Sequence, residues 1–156
     1  AAQRLFEDLM RQRVALAVGA LNLLLRGMVI AARRGARGNW AGRAGQLLDY
    51  VREEQAMARL VGATVPSPNE ESFALTIDLC ALGGRGDAFG QAKRLYRSCL
   101  QVAPNPNSAV FASMLACAAA ADDAAALDEV LALIAERGAR VTAHTQRNLL
   151  EGIVDG

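Results

Sequence analysis

An all-α fold, an α-solenoid of stacked helix-turn-helix units, is predicted by three features of the sequence. Hydrophobic residues make up 53% of the chain, mostly as Ala and Leu, while aromatics make up 4%. Ala and Leu are good helix formers, and the aromatic residues that suit strands are scarce. An apolar pattern with offsets of three, four and seven residues occurs at four places: Ala2, Leu5, Phe6, Leu9; Ala44, Leu47, Leu48, Val51; Ala92, Leu95, Tyr96, Cys99; and Leu127, Val130, Leu131, Ile134. Those offsets put each set on one face of a helix. Between the sets lie short stretches rich in Gly, Pro, Asn and Asp, and similar helices recurring in one chain point to an internal repeat.

Taken in order, residues 1–17 read as the second helix of a unit whose first helix is missing, with Leu5, Phe6 and Leu9 as its seam. The chain starts without Met and in mid-helix, so it reads as a piece of a longer protein. Val14 to Ala32 is the longest apolar run, interrupted by Asn22 and Arg26. A membrane span needs about 20 apolar residues and would hold Arg26 well inside it, so a buried helix is expected and a membrane partner is not. Gly35 to Gly42 breaks that helix, and Trp40 is expected to anchor the connection. The next helix is centred on Leu47, Leu48 and Val51 and continues to about Leu60, where Gly62, Pro66 and Pro68 mark a loop. Asn69 or Ser72 can cap the following helix, Glu70 to Leu82. Gly83 to Asp87 is a turn, Ala88 to Val102 a helix, and Ala103 to Asn107 a closing loop whose Asn107, with Ser108, offers the next cap. Ala109 to Ala121, an Asp122-Asp123 turn and Ala124 to Arg137 form a further pair, stopped at Gly138. Residues 143–156 read as one more first helix around Leu149, Leu150 and Ile153.

Charge is unevenly placed. Eight Arg face three acids in residues 1–51, six basic residues face six acids in 52–106, and three face seven in 107–156, giving +5, 0 and −4 and the overall +1. An anionic partner is therefore expected near the N-terminal part, where Arg33, Arg34, Arg37 and Arg43 make a candidate phosphate-contacting patch or a solvated connection. Cys80, Cys99 and Cys117 lack CxxC spacing and fall on apolar helical positions, as reduced core residues do. The single His144 has no Cys or paired acid at metal-ligand spacing, so no metal is expected. Gly83-Gly84-Arg85-Gly86 lacks the strand before it and the Lys-Ser/Thr after it that a phosphate loop requires. The acid pairs Glu53/Glu54, Glu70/Glu71 and Asp122/Asp123 are adjacent and hence splayed on a helix, which suits capping or solvation. No catalytic constellation or cofactor site emerges, and the chain is not expected to be an enzyme.

Phe111-Ala112-Ser113-Met114-Leu115, the seam Leu127, Val130, Leu131, Ile134 with Gly138, and the recurrence of a closing Asn107 at Thr142, 35 residues later, resemble the pentatricopeptide repeat family, whose helix-turn-helix unit has about 35 residues. Leu21-Asn22-Leu23-Leu24-Leu25 looks like the opening of that family's first helix, with Leu21 in place of the aromatic. The resemblance covers nearly the whole chain as one domain, 1–156: a partial repeat 1–17, repeats 18–69, 70–107 and 108–142, and a partial repeat 143–156. It implies that first helices line a concave face and that two residues per repeat read one base, the one after the opening aromatic and the last of the unit. Those pairs are Asn22 with Asn69, Ala74 with Asn107, and Ala112 with Thr142, with Arg147 left in the last partial unit. Asn22 with Asn69 resembles a pyrimidine-preferring pair. An alanine side chain cannot hydrogen-bond a base edge, so the other two pairs depart from the pattern. Asn22 can equally satisfy a buried partner, and Asn69, Asn107 and Thr142 can be helix caps.

The resemblance implies RNA binding in an organelle, the mitochondrion or alternatively the chloroplast. Few base-reading pairs favour a member held in a larger ribonucleoprotein such as a mitochondrial ribosome, with ribosomal or other ribonucleoprotein partners, over an organellar mRNA maturation or stability factor. A protein-binding scaffold in the tetratricopeptide manner is the alternative from another class.

Overall fold

The computed structural model describes residues 18–63, 67–83 and 86–137, together with Arg4, and among these the regular structure is helical throughout. In chain order the six helices are α1 (Val18–Arg33), α2 (Trp40–Leu60), α3 (Glu70–Gly83), α4 (Ala88–Val102), α5 (Ser108–Ala120) and α6 (Ala124–Arg137). Three of the four recurrent seams fall on α2, α4 and α6; that of residues 2–9, the helix expected at 1–17 and the one expected at 143–156 lie outside the described residues.

Side chains start these helices where the sequence provides short polar groups. Asn39 Oδ1 accepts the Gly42 N–H at 3.0 Å, Asp87 Oδ1 accepts the Gly90 N–H at 3.0 Å, and Asp123 Oδ1 accepts the Ala125 N–H at 2.9 Å. Asn107 Oδ1 accepts from both Ala109 and Val110. Each bond satisfies a donor that the first helical turn leaves without a partner. The caps of α2 and α4 share a device. A Cβ on Gly42 would lie 2.4 Å from the Asn39 side chain, and one on Gly90 would lie 2.0 Å from that of Asp87. Glycine three residues into the helix lets the cap fold back over it. Gly42 is thus inside α2, not in the break expected over Gly35 to Gly42; the break is 34–39. There, α1 ends with Gly35 at φ 75°, the Gly35 N–H bonded to Ala32 O and the Ala36 N–H to Ala31 O, both at 3.0 Å. Only the missing Cβ makes that left-handed closing residue inexpensive. Trp40, buried at the first position of α2, donates its indole N–H to Ala36 O at 2.8 Å and ties the connection down.

The helices form two layers. The first helices of the successive pairs, α1, α3 and α5, pack side by side, and the α3–α5 contact is the most extensive among the described helices. Each of α2 and α4 rests on its own first helix and on the first helix of the next pair, while α6 rests on α5. This placement accounts for composition. Helices α3 and α5 bury residues nearly all round, Ser72, Phe73, Ala74, Thr76, Ile77, Leu79 and Cys80 on α3, because neighbours stand on most sides. In contrast, α4 buries a single stripe, Ala92, Tyr96 and Cys99. Tyr96 crosses to α5, its ring centroid 5.9 Å from that of Phe111 at a 55° tilt.

One seam is rotated from expectation. Helix α6 has apolar residues at 126, 127, 130, 131, 133 and 134, enough for more than one face, and it buries Ala126, Val130 and Ile134 while Leu131 stays 43% exposed. Leu95 is likewise only half-buried, at the margin of a groove between α2 and α4.

Phe73→Ala should lower unfolding stability by about 3–5 kcal/mol, because a large side chain is lost from the centre of the layer, whereas Leu131→Ala should cost less than about 1 kcal/mol. Urea melts followed by circular dichroism would check both, and equal effects would mean that the layers are misassigned.

Candidate nucleic-acid interface

The first-helix layer presents an open side. On α1, Leu23, Arg26 and Ile30 are exposed at helical spacing; on α3 Glu71, Leu75 and Asp78 are half-buried and Leu82 is exposed, and on α5 Ala112, Ala116 and Ala119 are half-buried, each set again at helical spacing. The surface is apolar with few charges, and it loses polarity towards α5.

At the seam between α1 and α3 the structure brings Asn22 and Asn69 together. Asn22, 5% exposed, donates Nδ2 to Asn69 Oδ1 and to Glu71 Oε2, both at 3.1 Å, and its Oδ1 accepts the Ser72 hydroxyl at 2.6 Å. Asn69 is at the same time the cap of α3. Its Oδ1 accepts the Ser72 N–H at 3.1 Å, and its own N–H donates to Ser72 Oγ at 3.1 Å, the reciprocal arrangement of a capping box. The second oxygen of Glu71 pairs with Arg26, four residues along α1 from Asn22, both side chains partly exposed. Both donors of the Asn22 amide and one of its acceptor sites are therefore engaged inside the protein.

The other expected readers differ. Ala74 is buried and Ala112 half-buried, at the positions equivalent to Asn22. Asn107 uses its oxygen to cap α5. Thr142 and Arg147 lie outside the described residues. Arg33, Arg34 and Arg37 are all exposed, around the end of α1, and among the described residues none is in an ion pair. Arg43 stands apart from these. It is half-buried with its guanidinium 5.1 Å from the Trp40 ring centroid, a cation–π arrangement, and Nη1 is shielded from water without a hydrogen-bond partner.

Glu71, Ser72 and Arg26 are the members of this seam that sequence reasoning did not connect to it. The sequence signals were the Asn22/Arg26 spacing on α1 and the three-residue Asn69/Ser72 spacing of a cap, while the partners across the seam are 45 to 50 residues apart in sequence.

On the opposite side, α2 and α4 flank a groove of about 420 Å³ floored by Phe73, Thr76 and Cys80, with Arg52 and Arg94 among its lining residues. No group of three or more His, Cys, Asp and Glu among the described residues could hold a metal, and none of the described helices is long and apolar enough to cross a membrane. His144 lies outside the described residues. The cysteines are free and buried, and burial pushes the Cys80 and Cys99 thiols up to about 11 and Cys117 up to about 12.

Asn22→Ala should destabilise the chain by about 1–3 kcal/mol, because the buried Ser72 hydroxyl and the Asn69 cap lose a partner; a denaturant midpoint equal to wild type would show that the network is idle. The thiols give a pH signature. They bind protons more tightly folded than unfolded, so their contribution is constant below pH 9 and stability falls as pH rises from 9 towards 11. Melting temperatures across that range should drop in wild type, and less so in a Cys80→Ala/Cys99→Ala/Cys117→Ala variant.

No protein-family model and no curated protein matches this chain.

Proposed function

We propose that this chain is a segment of an RNA-binding α-solenoid of the pentatricopeptide-repeat kind, acting in an organelle, the mitochondrion first and the chloroplast as alternative, within a larger ribonucleoprotein such as a mitochondrial ribosome. It binds and stabilises RNA without a catalytic step. The observation that carries the reading is the serial placement of α1, α3 and α5, with Asn22, Ala74 and Ala112 at equivalent positions of successive first helices and the one Asn pair, Asn22 with Asn69, in contact across a seam. Exposed Arg33, Arg34 and Arg37 at the end of α1 supply charge for phosphates. Contact is by backbone and shape at α3 and α5, where alanines stand in place of base readers.

A second reading, a protein-binding scaffold, is favoured by one feature: Leu23, Ile30 and Leu82 are 66%, 51% and 43% exposed on the first-helix layer. Ultraviolet crosslinking separates the two, since RNA adducts on α1 and α3 belong to the first reading alone.

Replacing Arg33, Arg34 and Arg37 together with Ser should weaken binding of a short mixed-sequence RNA and reduce the slope of log K against log salt by about 2, from about 0.7 per phosphate contact. Filter binding at several salt concentrations reads the slope, and an unchanged value removes these arginines from the interface.

A further inference from the structure

We propose that Glu71 is an autoinhibitory stand-in for an RNA phosphate, its carboxylate occupying Arg26 and one amide donor of Asn22 at the seam between α1 and α3. The inference rests on the RNA reading of the first-helix layer and adds a control to it. One carboxylate oxygen pairs with the Arg26 guanidinium and the other accepts from Asn22 Nδ2 at 3.1 Å. A phosphate uses two oxygens in the same way, and a planar guanidinium fits either anion. Arg26 is the charged residue at the centre of the open side of α1, between exposed Leu23 and Ile30. While Glu71 holds it, that position offers RNA no net positive charge.

The contact is built to open without loosening the fold. The side chains of Arg26 and Glu71 are 54% and 39% exposed, and an ion pair in that setting is weakly held. Behind it, other links remain when Glu71 swings out: the buried Ser72 hydroxyl to Asn22 Oδ1 at 2.6 Å, and the part-buried Asn22 Nδ2 to Asn69 Oδ1 at 3.1 Å and reciprocal Asn69–Ser72 cap. Glu71 is in the first turn of α3, where a carboxylate is favoured by the helix dipole whether or not it reaches Arg26. RNA binding at this seam therefore exchanges one anion for another on Arg26 and leaves the α1–α3 register in place.

The test measures affinity of the full chain for a short mixed-sequence single-stranded RNA at about 0.1 M salt, where a freed phosphate contact is worth about fivefold. Glu71→Gln, with Glu71→Ala as the second variant and helicity checked by circular dichroism, should bind about fivefold tighter than wild type. The gain should vanish in Glu71→Gln/Arg26→Gln, and Glu53→Gln, which removes an acid from α2, should leave affinity within about twofold. A gain that survives loss of Arg26, or one matched by Glu53→Gln, overturns the proposal by reducing it to net charge. Affinity unchanged in both Glu71 variants, while the Arg33/Arg34/Arg37 replacement still weakens binding, overturns the gate and leaves the RNA reading standing. RNA binding absent from wild type and from both Glu71 variants overturns both.

Discussion

The burial of α3 on nearly every side is the constraint on which the rest of the molecule depends. With α1 and α5 beside it and α2 and α4 across it, α3 needs apolar or fully bonded side chains around most of its circumference. Phe73 and Ile77 fill the space towards its neighbours, and each removes enough apolar surface from water to contribute about 1.5–3 kcal/mol. Small residues do the complementary task. Ala74 and Cys80 on α3, with Cys117 and Ala118 on α5, are buried in the adjoining helices and keep side-chain volume low, which suits the extensive contact between these two helices. A helix with so wide an apolar surface is poorly stable when exposed to water, so α3 depends on its neighbours in the stack.

That same burial governs the polar residues. Ser72 and Thr76 are almost fully enclosed, and an enclosed hydroxyl without a partner costs about 1–3 kcal/mol. Thr76 solves the problem within α3, donating to Ser72 O at 2.8 Å. Ser72 solves it across the seam, through Asn22, and the solution is directional: one donor meets one acceptor at one sliding position of α1 against α3. The α3–α5 seam has alanine at the equivalent place, which cannot form such a hydrogen bond, and there packed small and apolar side chains contribute to the register. Two adjacent seams thus achieve alignment by different means, a hydrogen-bond latch at the first and a fitted small-residue surface at the second.

The elements were legible in the sequence because each carries local signals. Helices α3 to α6 lie within a residue or so of the spans read from periodicity, and their boundaries follow Asn69, Asp87, Asn107 and Asp123, side chains whose capping is a short-range matter. Gly42 misled because a glycine near a helix start has two physical uses. It can end a helix, or it can clear room for a cap, and only the position of the Asn39 side chain distinguishes them. Leu131 misled because α6 has apolar residues in excess of one stripe, so periodicity allows several faces and the partner chooses. The Asn22–Asn69 pair was legible as a pair through the resemblance, but its engagement with Ser72 and Glu71 was not, since no local rule couples positions 45 to 50 residues apart.

On the proposed reading, the gradient of charge along the stack has a mechanical consequence. Arg33 sits in the last turn of α1, where a cation complements the exposed carbonyls of the helix end, so it stabilises α1 even without RNA. Arg34 and Arg37 lie beyond that turn; their charge goes into the field outside the protein, where it raises encounter with a polyanion. On helix α5 the half-buried Ala112, Ala116 and Ala119 have side chains that can neither attract a phosphate nor hydrogen-bond a base. A strand approaching this layer is drawn to α1 first, meets Glu71 on Arg26 at the next seam, and beyond it finds a smooth, small-residue surface suited to close approach. On that proposal, attraction, competition and steric fit fall to three successive first helices, so that RNA would be gripped by shape at one end while its strength is set at the other.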